Sequence, residues 1–411
     1  MPSLRLLVGG VLVLHIIVLV WVAWGLPIGP SEAKTFFTSH SLTAVLMHGG
    51  RDLFPHGDFI NIRLPFLVLH LINLYLFYRL TGRLLKDEVQ RLSAFLIFLF
   101  LPGIISSAVL ATSTGMILAL YQGFLILYLT KRKIASYLIL PLFLVIDKSS
   151  VIFYFALFTY ALWQREIPLL ALTTFLFGVS LQIYGIDIHG KPVNHFIDTI
   201  ALYAAVFSPL LFLYFFYAIY RILLKGEKTI IWHIAFVVLI LSLIISLRQR
   251  IPIQDFAPYV VVAIPLMVGL FFRSYKVRLP RFRKGYKLLA LLVIGVLMLN
   301  AAIMLFHKPL FLWIEYPRRH FAAPFYLPYW CAQALEKEGI EAVRLPHRKE
   351  ALQMRYYGIE NRGPLRLSHR PMPNASKVTI RYKDHPIEDC YVSKINNLTD
   401  YETFHHAQRQ P

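Results

Sequence analysis

The chain has 411 residues, of which 57% are hydrophobic, 15% aromatic and 16% charged. A water-soluble domain cannot bury so much apolar surface, so this composition excludes an ordinary soluble enzyme. The formal net charge of +20 would suggest nucleic-acid binding in a soluble protein, but here the basic residues lie mostly between apolar runs. That arrangement is typical of an integral membrane protein, and no nucleic-acid partner is predicted.

Apolar runs recur from the N-terminus to about residue 306, and a membrane-spanning helix needs roughly 20 such residues. The first run follows Arg5 and lacks a small-residue cleavage site, so we expect a retained helix and not a secretion signal. The run over 92–129 must hold two spans that divide near 106–115. Eleven spans are predicted, at 6–28, 64–78, 92–129 (two spans), 134–146, 150–163, 167–184, 200–220, 229–247, 256–272 and 288–306.

Charge predicts which connections face the cytoplasm. One set of connections carries nineteen basic residues, seven of them within 273–287, whereas the opposite set carries seven over a greater total length. The basic side is expected to be cytoplasmic. We therefore predict a multi-pass protein of a bacterial inner membrane, with the N-terminus in the cytoplasm and the C-terminal tail in the periplasm.

The stretch 134–163 tests this topology because it is interrupted only by Asp147, Lys148 and two serines. It could form one long helix with a buried ion pair. The bases at 131–133 and Arg165 both require the cytoplasmic side, however, so we predict a hairpin whose turn lies at the outer surface.

The outer connections contain the candidate chemical groups. The first connection, 29–63, is the longest; Ser31 is expected to cap a helix whose first turn holds Glu32. Lys148 and Arg250 each end an apolar span on the outer side, against the general bias, and with Arg248 they are candidate ligands of a lipid phosphate. The alternative is nonspecific snorkelling of these side chains to the membrane surface. Further outer ionisable groups include Asp58, Asp147 and Asp255.

The composition changes near Pro309, and ordinary globular patterning follows. The sequence predicts a C-terminal α/β domain over 309–411, separate from a transmembrane domain over 1–308 that includes the outer connection. We expect helices at 332–338 and 348–357 and strands at 340–345, 365–367 and 377–382. Cys331 and Cys390 both lie in this tail and are candidates for a disulfide in an oxidising compartment.

The order of these features resembles the GT-C fold glycosyltransferases that use polyprenyl-phosphate sugars, particularly the aminoarabinose transferase and protein O-mannosyltransferase relatives. That superfamily carries an acidic pair after the first span, where this chain reads Ser31-Glu32-Ala33-Lys34. It then carries an Arg-Leu-Pro start to a span, a Lys-Gly type motif on an outer hairpin, and a basic loop ahead of a span with Tyr and Pro. The corresponding segments here begin at Arg63, Asp147 and Ser246.

The resemblance implies an α-helical polytopic fold of about eleven spans with a small periplasmic α/β domain, and a transferase acting on cell-envelope glycans. It places the catalytic base at the first acid of the pair, where this chain has Ser31, so we expect Glu32 to act as the base with Asp58 in reserve. Lys148, Arg248 and Arg250 are expected to bind the donor phosphate, and Lys34 and Arg63 are expected to be acceptor or loop residues. Two acids of the family pattern are replaced here, by Ser31 and by the segment 112–114. No cofactor is predicted, and a divalent metal stays open.

The expected partners are a polyprenyl-phosphate-linked sugar and membrane lipids; the sequence leaves the oligomeric state open. Two other classes of function compete with the enzyme. One is a lipid or glycan transporter, although the predicted spans are nearly free of ions and show no half-repeat. The other is a noncatalytic relative that binds lipid-linked glycan, which the two replaced acids favour.

Overall fold

The structure is a computed structural model that describes residues 2–56, 58–185, 193–371, 375–383 and 385–394. Helices dominate, and three strands lie near the C-terminus. The helices are α1 Pro2–Gly25, α2 Pro30–Thr38, α3 Leu42–Leu53, α4 Leu64–Leu84, α5 Glu88–Leu99, α6 Pro102–Val109, α7 Thr114–Leu129, α8 Lys133–Ile139, α9 Phe143–Ile146, α10 Ser150–Gln164, α11 Ile167–Tyr184, α12 Phe196–Phe207, α13 Pro209–Lys225, α14 Ile230–Ser246, α15 Ile253–Val261, α16 Ile264–Val277, α17 Pro280–Leu305, α18 Ala323–Lys337 and α19 Arg348–Tyr356. The strands are β1 Leu365–Ser368, β2 Ser376–Tyr382 and β3 His385–Lys394.

Contacts within the chain divide it into two units. Unit 1 comprises Met1–Val20 and Leu64–Leu305, and unit 2 comprises Trp21–Arg63 and Phe306–Pro411. The first outer connection and the C-terminal tail therefore fall in the same unit. The predicted boundary at 308/309 stays a prediction.

The helices of the membrane region coincide with the predicted apolar runs. Among the described residues, four helices are long and apolar enough to cross a membrane by themselves, and three bent pairs each reach that length together. Four further apolar segments are shorter, at Thr114–Leu129, Lys133–Ile146, Ser150–Gln164 and Ile230–Ser246. A polytopic helical fold is thus confirmed, whereas the count of eleven spans stays a prediction.

Proline explains why three of the spans are broken. The pairs α5–α6, α12–α13 and α15–α16 bend by 57°, 105° and 42°, and in each pair the second helix begins with proline in its first turn. Proline lacks the N–H that would continue the preceding helix, but its fixed φ suits a helix start. The hairpin predicted within 134–163 is present, since α9 ends at Ile146 and α10 begins at Ser150.

Unit 2 contains α2, α3, α18, α19 and a three-stranded antiparallel sheet in the order β1-β3-β2. The predicted helix at 332–338 is the end of a longer helix, α18, which stops before Gly339 at φ +71°. The predicted strand at 340–345 is not a regular strand: only isolated parallel bridges pair Ala342 with Glu360 and Arg344 with Arg366. The central strand β3 was not predicted.

Candidate functional site

Three connections meet at one end of unit 1. They are the segments 110–113 between α6 and α7, 147–149 between α9 and α10, and 247–252 between α14 and α15. Ser113 Oγ donates a hydrogen bond to Asp147 Oδ2 at 2.5 Å, which joins the first two. Lys148 Nζ lies 3.7 Å from Asp255 Oδ2, which joins the second to the start of α15. All three connections belong to the set that charge predicts to face outward.

Asp255 is the most unusual group at this end. It lies in the first turn of α15, and only 3% of its surface is exposed. Its Oδ1 atom has no hydrogen-bond partner among the described residues. Buried polar atoms in native proteins are nearly always hydrogen-bonded, so an unsatisfied carboxylate oxygen suggests a functional role.

A cavity of about 190 Å³ lies against the same helix, α15, which contributes Ile253 and Gln254 to its lining; Asp255 itself does not line it. Ser106, Thr112 and Thr114 also line the cavity and provide hydroxyl groups. Two residues of the segment 112–114, Thr112 and Thr114, thus contribute hydroxyl groups to a mostly apolar cavity.

The predicted phosphate ligands lie at the same end of unit 1. The Lys148 side chain is 43% exposed, and its Nζ atom lies 3.7 Å from Asp255 Oδ2. Arg248 and Arg250 are exposed and belong to the connection that leads directly into α15. Their role in phosphate binding stays a prediction, but the three cations lie on two of the converging connections, and the buried carboxylate of Asp255 lies in the first turn of the helix that follows one of them.

In unit 2, Glu32 and Arg63 form a buried ion pair. Arg63 is fully buried and Glu32 is 3% exposed. Arg63 Nε donates to Glu32 Oε1 at 3.1 Å, and Nη2 donates to Oε2 at 2.6 Å, so the contact is bidentate. The same guanidinium also donates to the carbonyl oxygens of Ala23, Leu26 and Pro27 at the end of α1 and just beyond it.

Glu32 has a further partner that changes the predicted helix cap. The N-cap of α2 is Gly29 and not Ser31, because the helix already begins at Pro30. The Gly29 N–H donates to Glu32 Oε2 at 2.8 Å, as the third residue of a capping box accepts from the cap backbone. Both carboxylate oxygens are therefore engaged. The role of Glu32 as a catalytic base stays a prediction. To accept a proton from an acceptor, the Glu32 carboxylate would have to lose one of these hydrogen bonds.

The remaining predicted residues of the first connection are exposed. Lys34 lies on the solvent-exposed face of α2, and Asp58 occupies a turn with φ +46°. Asp58 lies next in the chain to Phe59, which packs edge-on against Tyr329 with ring centroids 5.1 Å apart. No function follows from these contacts alone.

The two cysteines lie together in the tail, with Sγ atoms 3.1 Å apart, both buried and both as free thiols. His369 Nδ1 lies 3.5 Å from Cys390 Sγ, and His369 Nε2 lies 2.6 Å from Glu350 Oε1. Hydrogen bonding to Cys331 and to His369 lowers the pKa of the Cys390 thiol to about 6 despite burial. Burial lowers the pKa of His369, but the bonds to Cys390 and Glu350 outweigh it and raise that pKa to about 10. The disulfide stays a prediction.

Sequence reasoning noted Asp147 and Asp255 as outer acids but assigned no role to either. What distinguishes Asp255 is its burial without a partner for Oδ1, and no sequence pattern contains that information. Within the described ranges, no group of three or more His, Cys, Asp or Glu residues lies close enough together to hold a metal ion.

Comparison with known proteins supports the fold. No protein-family model matches this chain, and no curated protein matches its sequence. Among solved structures, the crystal structure of ArnT from Cupriavidus metallidurans in the apo state matches with a TM-score of 0.52 at 10% sequence identity. The match covers 93% of this chain and 98% of that one. The chain therefore has the GT-C fold that the sequence predicts, as a polytopic helical membrane protein with a small C-terminal α/β domain.

Proposed function

We propose that this chain is a membrane glycosyltransferase that moves a sugar from a polyprenyl-phosphate donor to an acceptor at the outer face of a bacterial inner membrane. The observation that carries the proposal is the buried, unsatisfied carboxylate of Asp255 beside Lys148, at the end of unit 1 that charge predicts to face outward. The fold shared with ArnT supports the same class of function. The sugar and the acceptor are left unspecified.

The proposed donor site uses cations at this end of unit 1. Lys148, with Arg248 and Arg250, would bind the phosphate of the lipid by charge-assisted hydrogen bonds. The contact between Lys148 and Asp255 is long, at 3.7 Å, and the lysine side chain is nearly half exposed. A phosphate arriving at Lys148 would therefore compete with Asp255 for the ammonium group at little cost.

The proposed reaction is a direct displacement at the anomeric carbon. The bond from that carbon to the acceptor oxygen or nitrogen forms while its bond to the phosphate oxygen breaks. The acceptor proton passes to a carboxylate, for which we propose Asp255, and polyprenyl phosphate leaves with its negative charge stabilised by the cations. Glu32 and Asp58 are the rival bases predicted from the sequence.

Reconstituted transfer tests this function. Proteoliposomes containing the full chain are supplied with a synthetic polyprenyl-phosphate sugar and a mixture of envelope glycolipid acceptors, and release of polyprenyl phosphate is measured. We expect turnover by the unchanged protein and a loss of about 10²–10⁴-fold in Asp255→Asn, the usual range for a general base. Asp198→Asn is the matched control, because Asp198 is 62% exposed and its carboxylate pairs with the nearby His195.

Two results would contradict the proposal. If the unchanged protein released no polyprenyl phosphate but moved the intact donor across the bilayer, the transporter class would be correct. If it bound the donor without turnover, the chain would be a noncatalytic binding protein. Equal activity in Asp255→Asn and Asp198→Asn would retain the transferase but remove Asp255 from its site.

A further inference from the structure

Unit 1 contains a second and larger cavity, of about 870 Å³, among α1, α5, α13, α16 and α17. Its wall is aliphatic and aromatic except for Ser93 and the hydroxyl groups of three tyrosines. Along α17 it extends from Tyr286 to Met298, which at 1.5 Å per residue is roughly 18 Å. The hydrocarbon core of a bilayer is about 30 Å thick, so the cavity has about the depth of one leaflet.

The three tyrosines mark one end of this cavity. Tyr214 and Tyr286 share a hydrogen bond between their hydroxyl groups at 3.1 Å, and the rings of Tyr214 and Tyr217 have centroids 6.0 Å apart. Arg221 Nη1 donates to the Tyr217 hydroxyl at 2.7 Å. The guanidinium carbon of Arg278 lies 4.1 Å from the centroid of the Tyr286 ring. Two arginine side chains thus contact the rim of an otherwise apolar cavity.

The charge around this end is strongly positive and uncompensated. The segment 273–287 contains seven basic residues and no acidic residue. In the part of the chain that the structure describes, no ion pair joins any of these seven bases to a carboxylate. This is also the end of unit 1 that carries the predicted cytoplasmic connections, opposite to the Asp255 end.

We propose that the cavity binds one anionic glycerophospholipid of the leaflet at this end, with an acyl chain between the helices and the phosphate at Arg221 and Arg278. Apolar depth, an aromatic rim and paired cations are together the features that recognise such a lipid. A zwitterionic lipid would fill the apolar part but would bring no net negative charge to the cations. The site lies at the opposite end from the proposed donor site, and the inference does not depend on sugar transfer.

Lipid binding to the purified full chain tests the proposal. The detergent-solubilised protein is delipidated and titrated with phosphatidylglycerol or with phosphatidylcholine of the same acyl chains, and bound lipid is counted by native mass spectrometry. We expect phosphatidylglycerol to bind roughly 30-fold more tightly, because each of two basic residues favours an anionic lipid by a factor of about five. Arg221→Gln with Arg278→Gln should abolish that preference.

Two single variants complete the test. Ala290→Trp places a large ring at a residue that lines the cavity and should reduce binding of both lipids. Arg281→Gln removes a charge from the same basic segment at a residue that does not line the cavity, and should leave the preference unchanged. Equal binding of the two lipids by the unchanged protein would overturn the proposal, as would equal effects of Arg281→Gln and the double variant. Displacement of phosphatidylglycerol by stoichiometric polyprenyl phosphate would overturn it too, by making the cavity a donor site.

Discussion

Glu32 in unit 2 and Asp255 in unit 1 are both carboxylates with 3% of their surface exposed, and each lies in the first turn of a helix. Their surroundings differ. Glu32 accepts two hydrogen bonds from Arg63 and one from the Gly29 N–H. Asp255 has one cation at 3.7 Å and an Oδ1 atom without a hydrogen-bond partner in the described ranges.

This difference favours a structural role for Glu32 and a functional role for Asp255. A buried charge is retained without loss of stability only when it is paired and its lone pairs are satisfied, as those of Glu32 are. An unsatisfied buried carboxylate costs stability, and such groups concentrate at sites where the free lone pair is used. The motif after the first span therefore indicates the fold, whereas the candidate chemistry lies on α15.

The largest effect on stability is expected from Arg63→Met. This change leaves Glu32 buried without its partner and removes donors from three carbonyl groups, so the free energy of unfolding should fall by about 3–5 kcal/mol. The measurement is a thermal or denaturant unfolding curve in detergent. Arg51→Met is the control, because Arg51 is exposed on α3 and its guanidinium lies over the Phe36 ring. Similar curves for the two variants would show that the Glu32 pair is not structural.

The next effect concerns Lys148→Gln. Because this lysine is half exposed, its loss should change the free energy of unfolding by less than about 1 kcal/mol. The KM for the polyprenyl-phosphate donor should nevertheless rise by roughly 10–100-fold, since a hydrogen bond to a charged group contributes about 1.5–3 kcal/mol. Lys34→Gln is an exposed lysine control in unit 2. A donor KM that rises in Lys34→Gln and not in Lys148→Gln would exclude the proposed phosphate site.

The pH dependence of the tail comes third. The pKa of His369 is raised to about 10, so the contribution of its ion pair to stability is complete below pH 6.5 and is lost as pH rises through about 10. Under reducing conditions, the lowered pKa of Cys390 offsets this loss up to about pH 9, the ordinary pKa of a thiol, so the unfolding midpoint of the unchanged protein should fall mainly between pH 9 and pH 10. In His369→Gln this fall should be smaller, and an identical fall in both proteins would contradict the role given to the Glu350–His369 pair.

The smallest effect is expected from Ser113→Ala. It removes the hydrogen bond to Asp147 that joins two of the converging connections, and should cost about 0.5–1.5 kcal/mol in the free energy of unfolding. Thr174→Ala removes an exposed hydroxyl that donates within its own helix, and should change stability by less than about 0.5 kcal/mol. If both changes lower the free energy of unfolding by the same amount, the hydrogen bond from Ser113 to Asp147 does not hold the two connections together.

The membrane fold was predictable from sequence because apolar length and the distribution of bases are local properties. The hairpin at Asp147 followed from the charges on either side of it. The site was less predictable, since the surroundings of the Asp255 carboxylate include Lys148, which is more than a hundred residues away in the sequence. The predicted base, Glu32, was recognised by its position after the first span, but its partner Arg63 decides how its lone pairs are used.

The tail shows the same limit at smaller scale. Proline usually interrupts a helix, yet α18 continues through Pro328. The N–H missing at Pro328 would have bonded the Pro324 carbonyl, which instead accepts from Gln353 Nε2 at 2.8 Å. Strand β3 lies between β1 and β2 and pairs with both of them. Its formation therefore depends on these two partners more than on the alternation of apolar and polar residues in its own sequence.

The most direct test of the contrast between the two carboxylates measures stability and transfer in the same preparations of Asp255→Asn and Glu32→Gln. We expect Asp255→Asn to unfold at or above the temperature of the unchanged protein while losing transfer, because it removes an unsatisfied buried charge. Glu32→Gln should unfold at a lower temperature and, while folded, retain the turnover of the unchanged protein. The opposite pattern, with transfer lost in Glu32→Gln at unchanged stability and retained in Asp255→Asn, would contradict the account.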